Sequence, residues 1–381
     1  MYSIRRSEMG GTDRTLGFAA RRSQAICSLT LLALLVGTCL VTDLLARNRA
    51  LERWLMTTSR DFAEKNGTFF SYTGNFIDFE ERLLLEEVPQ ADYSQGGAYF
   101  FGTSNMKWAF QTWDLPTELR QFIGNYGIGG SSHTDQLQLI KYLIEQRGFL
   151  TAGDRDLVVF GVSFHLGHHA DMKWAGVFAS VLRRQGLYTI TADDRIAPAP
   201  MSAIERWLRT EKARCGGFIW NLGRLAKNWV RKFVSRSDGR LHDGAIYRRY
   251  WSEIMGARWQ QDIDVEVEQL RETILLVQSR GALVQVLLLP QGTWTEELPF
   301  KAYYEAKIRT LCQATSTSLI DLSRAIPDEE FADSNHLTVQ GQERFRSLIM
   351  GDLLENFLEA KRRPASPQRE QSMPNTGSIS E

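Results

Sequence analysis

The chain has little cysteine and no excess of charge. Its 381 residues include four cysteines, and lysine plus arginine equal aspartate plus glutamate at 45 each. Cys27 and Cys39 lie inside an apolar run, which leaves Cys215 and Cys312 for the rest of the chain. Either one bridge between these two or two free buried thiols fit this count, and in neither case is the fold built on disulfides.

Apolar residues are not scarce. They make up 43% of the chain, and aromatic residues 11%, which is enough to bury a sizeable core and excludes a disordered protein. This composition predicts one large globular domain with accessory segments. Residues 361–381, rich in proline, serine and glutamine, are the exception and are predicted to be a disordered tail.

One uncharged run, AICSLTLLALLVGTCLVT at 25–42, is long enough to cross a bilayer as a helix. Arginines precede it and, by the positive-inside rule, keep the N-terminus in the cytoplasm. These are Arg5, Arg6, Arg14, Arg21 and Arg22. We expect a cytoplasmic segment at 1–24, a transmembrane signal anchor at 25–45 and an extracytoplasmic body. A cleaved signal peptide is the alternative, but the long N-terminal lead and the missing small-x-small site before Asp43 favour a retained anchor.

Four short apolar runs are typical of buried strands: AYFFGTSN, DLVVFGVS, ALVQVLLLP and TSLIDLS. Three segments have apolar residues at helical spacing: SSHTDQLQLIKYLIEQRG, DVEVEQLRETILLVQSRG and VQGQERFRSLIMGDLLENFLEA. Strands buried on both faces and separated by helices predict a three-layer α/β/α domain with a mostly parallel sheet. We assign it to residues 91–360, after a stalk at 46–90. Ligands bind such folds at the carboxyl ends of the strands.

The first strand is followed by Gly102-Thr103-Ser104-Asn105. Glycine permits a tight turn there, and Ser104 is presented at the strand end where a helix could begin. An ordinary turn with a helix-capping serine is the alternative.

A second loop, in FIGNYGIGGSSHTDQL, has three closely spaced glycines between a strand and a helix. Such a loop lets the backbone approach a ligand closely, and a merely flexible loop has the same composition.

The third element is FADSNHLTVQGQERF, where Asp333 and His336 stand just before the last helix. Asp333 is positioned to accept a hydrogen bond from one ring nitrogen of His336, which leaves the other nitrogen free to take a proton from a serine hydroxyl. A helix-capping aspartate beside a surface histidine is the alternative.

Taken in order, these pieces resemble the four sequence blocks of the SGNH (GDSL-like) hydrolase superfamily. FFGTSN is similar to the first block, NYGIGGSS to the second, VVFGVSFH to the third and DSNHLTVQG to the last. The resemblance spans about residues 96–355. It implies that Ser104 is the nucleophile, His336 the general base and Asp333 its orienting carboxylate.

The resemblance also implies an oxyanion hole made by the amides of Ser104 and Gly130. Two positions depart from the family pattern: Thr103 replaces the usual aspartate, and Ser163 replaces the asparagine of the third block. Ser163 is therefore a substitute oxyanion donor or no donor, and loss of one donor costs about two to three orders of magnitude in rate.

The third block continues as FHLGHHADMKW, which holds half of the six histidines of the chain. A metal site would need converging ligands and a carboxylate such as Asp171, and we favour substrate contact instead, with no metal and no cofactor. The residues assigned to substrate contact are Asn105, Asn125, His165, His168 and His169.

Residues 170–262 form a long insertion that we expect to be helical. Within 201–260, thirteen lysines and arginines face five acidic residues, interleaved with Trp207, Trp220, Trp229, Trp251 and Trp259. Such a segment suits an anionic membrane surface, a charged polymer or a sugar-stacking groove. The alternative is a solvated helical hairpin with the tryptophans as its own small core.

An anchored, exported SGNH-like domain with such an insertion most resembles the branch that includes the D-alanylation protein DltD and the alginate acetylation proteins. That resemblance implies an esterase or O-acyltransferase acting on an acylated cell-envelope saccharide, with a membrane-bound O-acyltransferase as partner and no role for nucleic acid. The alternatives are a catalytically impaired binding or assembly subunit and a membrane-proximal lipase.

Overall fold

A computed structural model of the chain describes residues 12–72, 79–112, 115–168, 186, 188–191, 195–234 and 244–362. The first part of the insertion, 169–185, lies outside these ranges. So does the predicted tail, apart from its first two residues.

A five-stranded parallel sheet forms the centre of the domain, in the order β2-β1-β3-β6-β7. A separate antiparallel hairpin, β4 with β5, lies in the insertion. The strands are β1 (Ala98–Phe101), β2 (Ile123–Asn125), β3 (Leu157–Val162), β4 (Tyr188–Ile190), β5 (Ile196–Pro198), β6 (Leu283–Leu288) and β7 (Ser318–Asp321). The four strands predicted from the apolar runs are thereby confirmed as β1, β3, β6 and β7.

The helices in the described residues are α1 (Thr12–Ala46), α2 (Arg49–Asn66), α3 (Phe79–Arg82), α4 (Val88–Gln90), α5 (Ser104–Ala109), α6 (Thr117–Arg120), α7 (His133–Arg147), α8 (Ala203–Val234), α9 (Gly244–Met255), α10 (Trp259–Ser279), α11 (Pro299–Ala314), α12 (Val339–Leu348) and α13 (Glu355–Arg362). Two π-helical segments, Leu83–Glu87 and Ile349–Leu354, join α3 to α4 and α12 to α13. The three helices predicted by spacing correspond to α7, α10 and the run from α12 to α13.

Alternate residues of each strand face opposite layers, as the pleat requires. Phe101 and Phe160 join a core with α7, α10 and α11, whereas Phe100 and Val159 join a second core with α5, α12 and α13. Every residue of β1 and β3 is buried, so both sheet faces are covered. The three-layer α/β/α prediction is confirmed.

The strand order fixes where a ligand site can form. After β1 the chain moves outward to β2 and then crosses back to β3 on the other side of β1. In parallel sheets the loops diverge at such a reversal and open a crevice at the carboxyl ends of the two strands. The loops that follow β1 and β3 carry Ser104 and Ser163.

At the N-terminus, α1 contains a stretch from Ile26 to Ala46 with a mean hydropathy of 2.2, long and apolar enough to cross a membrane. Its side chains are mostly exposed to the surroundings of the protein.

Part of the segment predicted as a stalk belongs to the core. Phe79, Leu83, Leu84 and Val88 are buried in the layer that contains α7 and α10. The mixed, charged composition of this segment did not predict that packing.

All four cysteines are free. Cys215 lies on α8 against the backbone of Cys39, and Cys312 is buried in α11, so the alternative of a Cys215–Cys312 bridge is wrong.

The tryptophans of the insertion do not form one small core. Trp207 and Trp220 are exposed on α8, whereas Trp251 packs on Phe164 and Trp259 packs on Phe300. The alternative, in which the tryptophans form the core of a helical hairpin, is therefore wrong for Trp207 and Trp220. The side chain of Trp229 lies outside the described residues.

We expect buried His133 to make stability depend on pH. Burial lowers the pKa of its imidazole to about 3, while its Nε2 lies 2.7 Å from the Tyr304 hydroxyl. The unfolded chain binds this proton near pH 6.5 and the folded chain does not, so the free energy of unfolding falls as the pH falls from about 6.5 to about 3, by at most ~1.4 kcal/mol per pH unit. His133→Gln should flatten this slope in thermal unfolding of the full-length protein.

The matched control is Tyr304→Phe, which removes the hydrogen bond but keeps the buried imidazole. It should lower stability at every pH and keep the slope. Equal slopes in wild type and His133→Gln would contradict the assignment.

Candidate active site

Asp333 and His336 form a hydrogen-bonded pair on the loop before α12. Nδ1 of His336 lies 2.8 Å from Oδ2 and 3.0 Å from Oδ1 of Asp333. The backbone amides of Asn335 and His336 also donate to Oδ1, at 2.9 and 2.8 Å. The carboxylate thus fixes both the turn and the ring, and the proton resides on Nδ1 because a carboxylate only accepts. Nε2 therefore has a lone pair that can accept a proton, and it lies 3.4 Å from Nδ2 of Asn335.

The capping alternative for Asp333 is wrong. The N-cap of α12 is Thr338, whose side chain accepts from the amide of Gly341. Burial opposes the charged form of Asp333, but the hydrogen bonds from His336 and the two amides outweigh it and hold the pKa of the carboxyl below its usual range. Asp333 is therefore ionised at neutral pH and stabilises positive charge on His336.

Ser104 is the first residue of α5, directly beyond β1. The N-cap is Thr103, which makes no side-chain cap hydrogen bond, so the helix-capping alternative for Ser104 is also wrong. Ser104 is half-buried, and its hydroxyl makes no hydrogen bond to any residue that the structure describes. Its amide stands at a helix start, where no intrahelical acceptor exists.

A chain of side-chain contacts connects the Ser104 loop to His336. Asn335 Nδ2 donates to Asn105 Oδ1 at 2.8 Å and lies 3.4 Å from His336 Nε2. Asn105 is buried, and its Nδ2 lies 3.4 Å from Nδ1 of His165. The loops after β1 and β3 and the loop before α12 therefore meet in one place, and Asn105 positions the site rather than facing open solvent.

The glycine loop is anchored beside Ser104 and is not merely flexible. The amide of Ile128 donates to the Gly102 carbonyl at 2.9 Å, and the amide of Gly129 donates to Glu80 at 2.9 Å. A Cβ at Gly127 would lie 2.7 Å from the amide nitrogen of Lys107, so only glycine fits this approach to α5. Gly130 has a left-handed backbone, with φ of 66°.

The Gly130 amide donates to no acceptor among the residues that the structure describes, whereas the amides on either side of it are bonded. Gly130 is exposed, so its unpaired amide is available to a ligand oxygen.

Asn125 has a structural role, which corrects its assignment to substrate contact. Its Nδ2 donates to the carbonyls of Met106, Lys107 and Phe110, and its Oδ1 accepts from the amide of Gly127 at 2.9 Å. Both ends of the buried amide are used to hold α5 against the glycine loop.

Ser163 is fully buried and lies 2.8 Å from Nδ1 of His165. Because Asn105 uses its oxygen to accept from Asn335, it presents N–H groups to the same Nδ1, which must then be unprotonated. Ser163 therefore donates its only hydroxyl proton to His165, and this corrects its assignment as an oxyanion donor.

His165 is neutral at physiological pH. Burial lowers the pKa of its imidazole to about 3, with a further contribution from nearby His336. Its proton is on Nε2, a buried atom without a hydrogen-bond partner among the described residues. The ring is stacked on Phe164 at 4.0 Å between centroids and is covered edge-on by Trp251 at 4.2 Å. His165 thus lies inside the site wall, where substrate contact requires Trp251 to move.

The other two histidines of the third block are less informative. His168 is half-buried at the end of the short 3₁₀ segment Phe164–Gly167, and His169 and Asp171 lie outside the described residues. Within the described ranges, no group of three histidine, cysteine, aspartate or glutamate side chains is arranged to hold a metal ion.

Three contributors to the site were missed from sequence. Phe69 stacks on His336 with ring centroids 4.8 Å apart. Lys107 and Glu80 form a buried ion pair at 2.6 Å, and the same carboxylate oxygen accepts from Gly129. Lys107 lies one turn after Ser104 on α5, and a buried lysine needs an acidic partner. Nothing in the sequence indicated that Glu80 is that partner.

No protein-family model matches the chain, and no curated protein matches it. Among solved structures, a candidate acylhydrolase from Bacteroides fragilis is 13% identical, covering 75% of this chain and 99% of its own, with a TM-score of 0.38. TesA is 12% identical over 68% and 99%, with a TM-score of 0.35, and a GDSL-like lipase from Bacteroides thetaiotaomicron is 9% identical over 74% and 98%, with a TM-score of 0.36. Likenesses this weak carry no argument about activity, and the description of the fold rests on the sheet and its layers.

Ser163→Ala should have a small effect on any ester hydrolysis at this site. Because the hydroxyl proton of Ser163 is donated to His165, we expect kcat/KM to fall less than about tenfold, whereas loss of a true oxyanion donor costs about 10² to 10³. The measurement is steady-state hydrolysis of an activated acetyl ester by the full-length protein. A loss of a hundredfold or more in a variant with unchanged thermal stability would restore Ser163 to the oxyanion hole.

Proposed function

We propose that the protein is a serine esterase or O-acyltransferase of the SGNH type that acts on acyl groups of an exported or cell-envelope polysaccharide. The observation that carries this proposal is the Asp333–His336 pair at 2.8 Å, tied through Asn335 and Asn105 to the loop of Ser104. An imidazole oriented by a carboxylate, on a loop tied to that of an unpaired serine, is the arrangement from which a base can activate a hydroxyl.

In the proposed reaction, Ser104 Oγ attacks the acyl carbonyl while Nε2 of His336 takes the hydroxyl proton. The ionised carboxylate of Asp333 stabilises the resulting imidazolium, and the amides of Ser104 and Gly130 stabilise the oxyanion. The imidazolium then returns the proton to the leaving alcohol. Water or a saccharide hydroxyl, deprotonated by the same nitrogen, then attacks the acyl-enzyme. The bond from the acyl carbon to Ser104 Oγ breaks, and the imidazolium returns the proton to Oγ.

The walls of the site favour an acceptor other than bulk water. Helix α9 of the insertion covers one side, where Trp251 lies on His165 and burial beside Asp333 raises the pKa of Tyr247. Phe69 and Trp108 line the other side, with ring centroids 6.3 Å apart. Aromatic walls exclude water, which transfer to a sugar requires, and offer stacking surfaces.

The proposal includes the location. The apolar stretch of α1 anchors the chain, the arginines before that stretch keep the N-terminus in the cytoplasm, and the domain faces outward. An acylated saccharide polymer is the proposed substrate, and a membrane-bound O-acyltransferase is the proposed partner.

Substitutions of Ser104 and Asp333 should distinguish an enzyme from a binding subunit. We expect Ser104→Ala to abolish acyl-ester turnover and Asp333→Asn to lower kcat by about 10³ to 10⁴, because the amide presents the wrong tautomer to Nδ1. The assay is acetate release from p-nitrophenyl acetate and from acetylated saccharides by the full-length protein in detergent. Phospholipid vesicles serve as the third substrate.

Asp328→Asn is the matched control. The carboxylate of Asp328 accepts a hydrogen bond from the amide of Thr293 and does not contact Asp333 or His336, so this variant should leave kcat unchanged. Turnover that survives Ser104→Ala would refute the assignment and favour a binding or assembly subunit. Turnover confined to the vesicles would favour a lipase.

A further inference from the structure

Helix α8 has an apolar stripe with four large, exposed side chains. Ile204, Leu208, Ile219 and Leu222 are 72%, 54%, 60% and 39% exposed. Leu208, Cys215, Ile219 and Leu222 follow Ile204 by four, eleven, fifteen and eighteen residues. At 100° per residue, this spacing places all five on one face of the helix. We call these five residues the α8 stripe.

The α8 stripe touches the apolar part of α1. Cys215 Sγ lies 4.0 Å from the carbonyl oxygen of Cys39, which is inside the stretch long enough to cross a membrane. Cys39 precedes the end of that stretch at Ala46 by seven residues, or about 10 Å along a helix axis. An interfacial helix buries its apolar face roughly 5–10 Å deep, so the stripe stands at that depth when α1 spans a bilayer.

Ion pairs lie at the same contact, and Glu211 is on the face of the stripe, three residues after Leu208 and four before Cys215. Arg47 lies 2.6 Å from Glu211, and Arg214 lies 2.8 Å from Glu211 and 4.0 Å from Asp43. Charged groups of both helices thus cluster at the end of the apolar stretch, where a bilayer meets water.

Two contacts hold the helix in this position, one through Phe218, about 40° around the helix from Leu222, and one through Arg224 on the far side. Phe218 is buried in a cluster with Ala46, Leu55 and Phe70, and Arg224 donates to the carbonyl of Ser71 at 2.8 Å. Turning the α8 stripe inward would break this cluster, so the stripe remains outside the protein.

The charge of α8 complements an anionic surface. It contains eight lysines and arginines against two glutamates, and Trp207, an interfacial residue type, is exposed beside the stripe. An exposed apolar face on a helix with this positive charge indicates an interaction site and not a surface that faces water alone.

We propose that α8 is an interfacial helix, which lies in the headgroup region of a bilayer containing anionic phospholipid with the α8 stripe in contact with the acyl chains. The inference rests on the anchoring part of the proposed function and is independent of its chemistry. It places the active site close to the membrane, because Phe69, next to Phe70 of the buried cluster, stacks on His336.

Photocrosslinking tests this arrangement. The full-length protein would carry p-benzoylphenylalanine at Leu208, in the stripe, or at Arg206, about 200° around the same helix. Leu35 in α1 serves as the control for insertion. Each variant would be placed in nanodiscs of phosphatidylcholine and phosphatidylglycerol and irradiated, and lipid adducts would be counted by mass spectrometry.

We expect lipid adducts at Leu208 and Leu35, and at least tenfold fewer at Arg206. Adducts at Leu35 without adducts at Leu208 would overturn the interfacial helix and leave the anchor intact. No adducts at Leu35 would refute the anchor and the inference with it. In native membranes, protein adducts at Leu208 in place of lipid adducts would overturn the inference in favour of a partner subunit. Ester turnover is a separate readout, so its absence would affect only the proposed chemistry.

Discussion

The site depends on the hydrogen bond between Asn335 and Asn105, at 2.8 Å, because it is the direct tie between two loops far apart in the chain. Asn105 follows Ser104, the proposed nucleophile, and Asn335 precedes His336. If the bond were absent, each loop would still be folded, since Asp333 and Thr338 organise one and the end of β1 organises the other. The distance from serine to imidazole would no longer be fixed, and positioned groups account for much of an enzyme's rate.

The two imidazoles near this bond are set to different tasks by their surroundings. His336 has a carboxylate on Nδ1 and remains half-buried, so it is equipped to carry a proton. His165 has only neutral donors on Nδ1 and is enclosed by Phe164 and Trp251, so it stays neutral and acts as a wedge between two loops. A second positive charge near His336 would oppose the imidazolium that the proposed reaction forms.

Sequence reasoning predicted the features that depend on local pattern. The four buried strands, the helix ended by Gly148 and the Asp333–His336 pair follow from period, turn residues and short spacing. It could not predict contacts between distant segments. Asn105 contacts His165 from a loop sixty residues earlier, and Glu80 reaches Gly129 from the segment predicted to be a stalk. The exposure of the α8 stripe also depends on contacts between distant segments, because α1 and α2 both pack against α8.

The central claim is that Ser104 is activated by His336, and covalent labelling of the full-length protein with a fluorophosphonate tests it most directly. The reagent reacts with serine hydroxyls that a base deprotonates, and it needs no knowledge of the natural substrate. The account predicts one labelled site at Ser104, no labelling of Ser104→Ala, and a loss of about a thousandfold or more in labelling rate in His336→Ala. A wild-type protein that is folded and does not react, or that reacts equally well without His336, would contradict it.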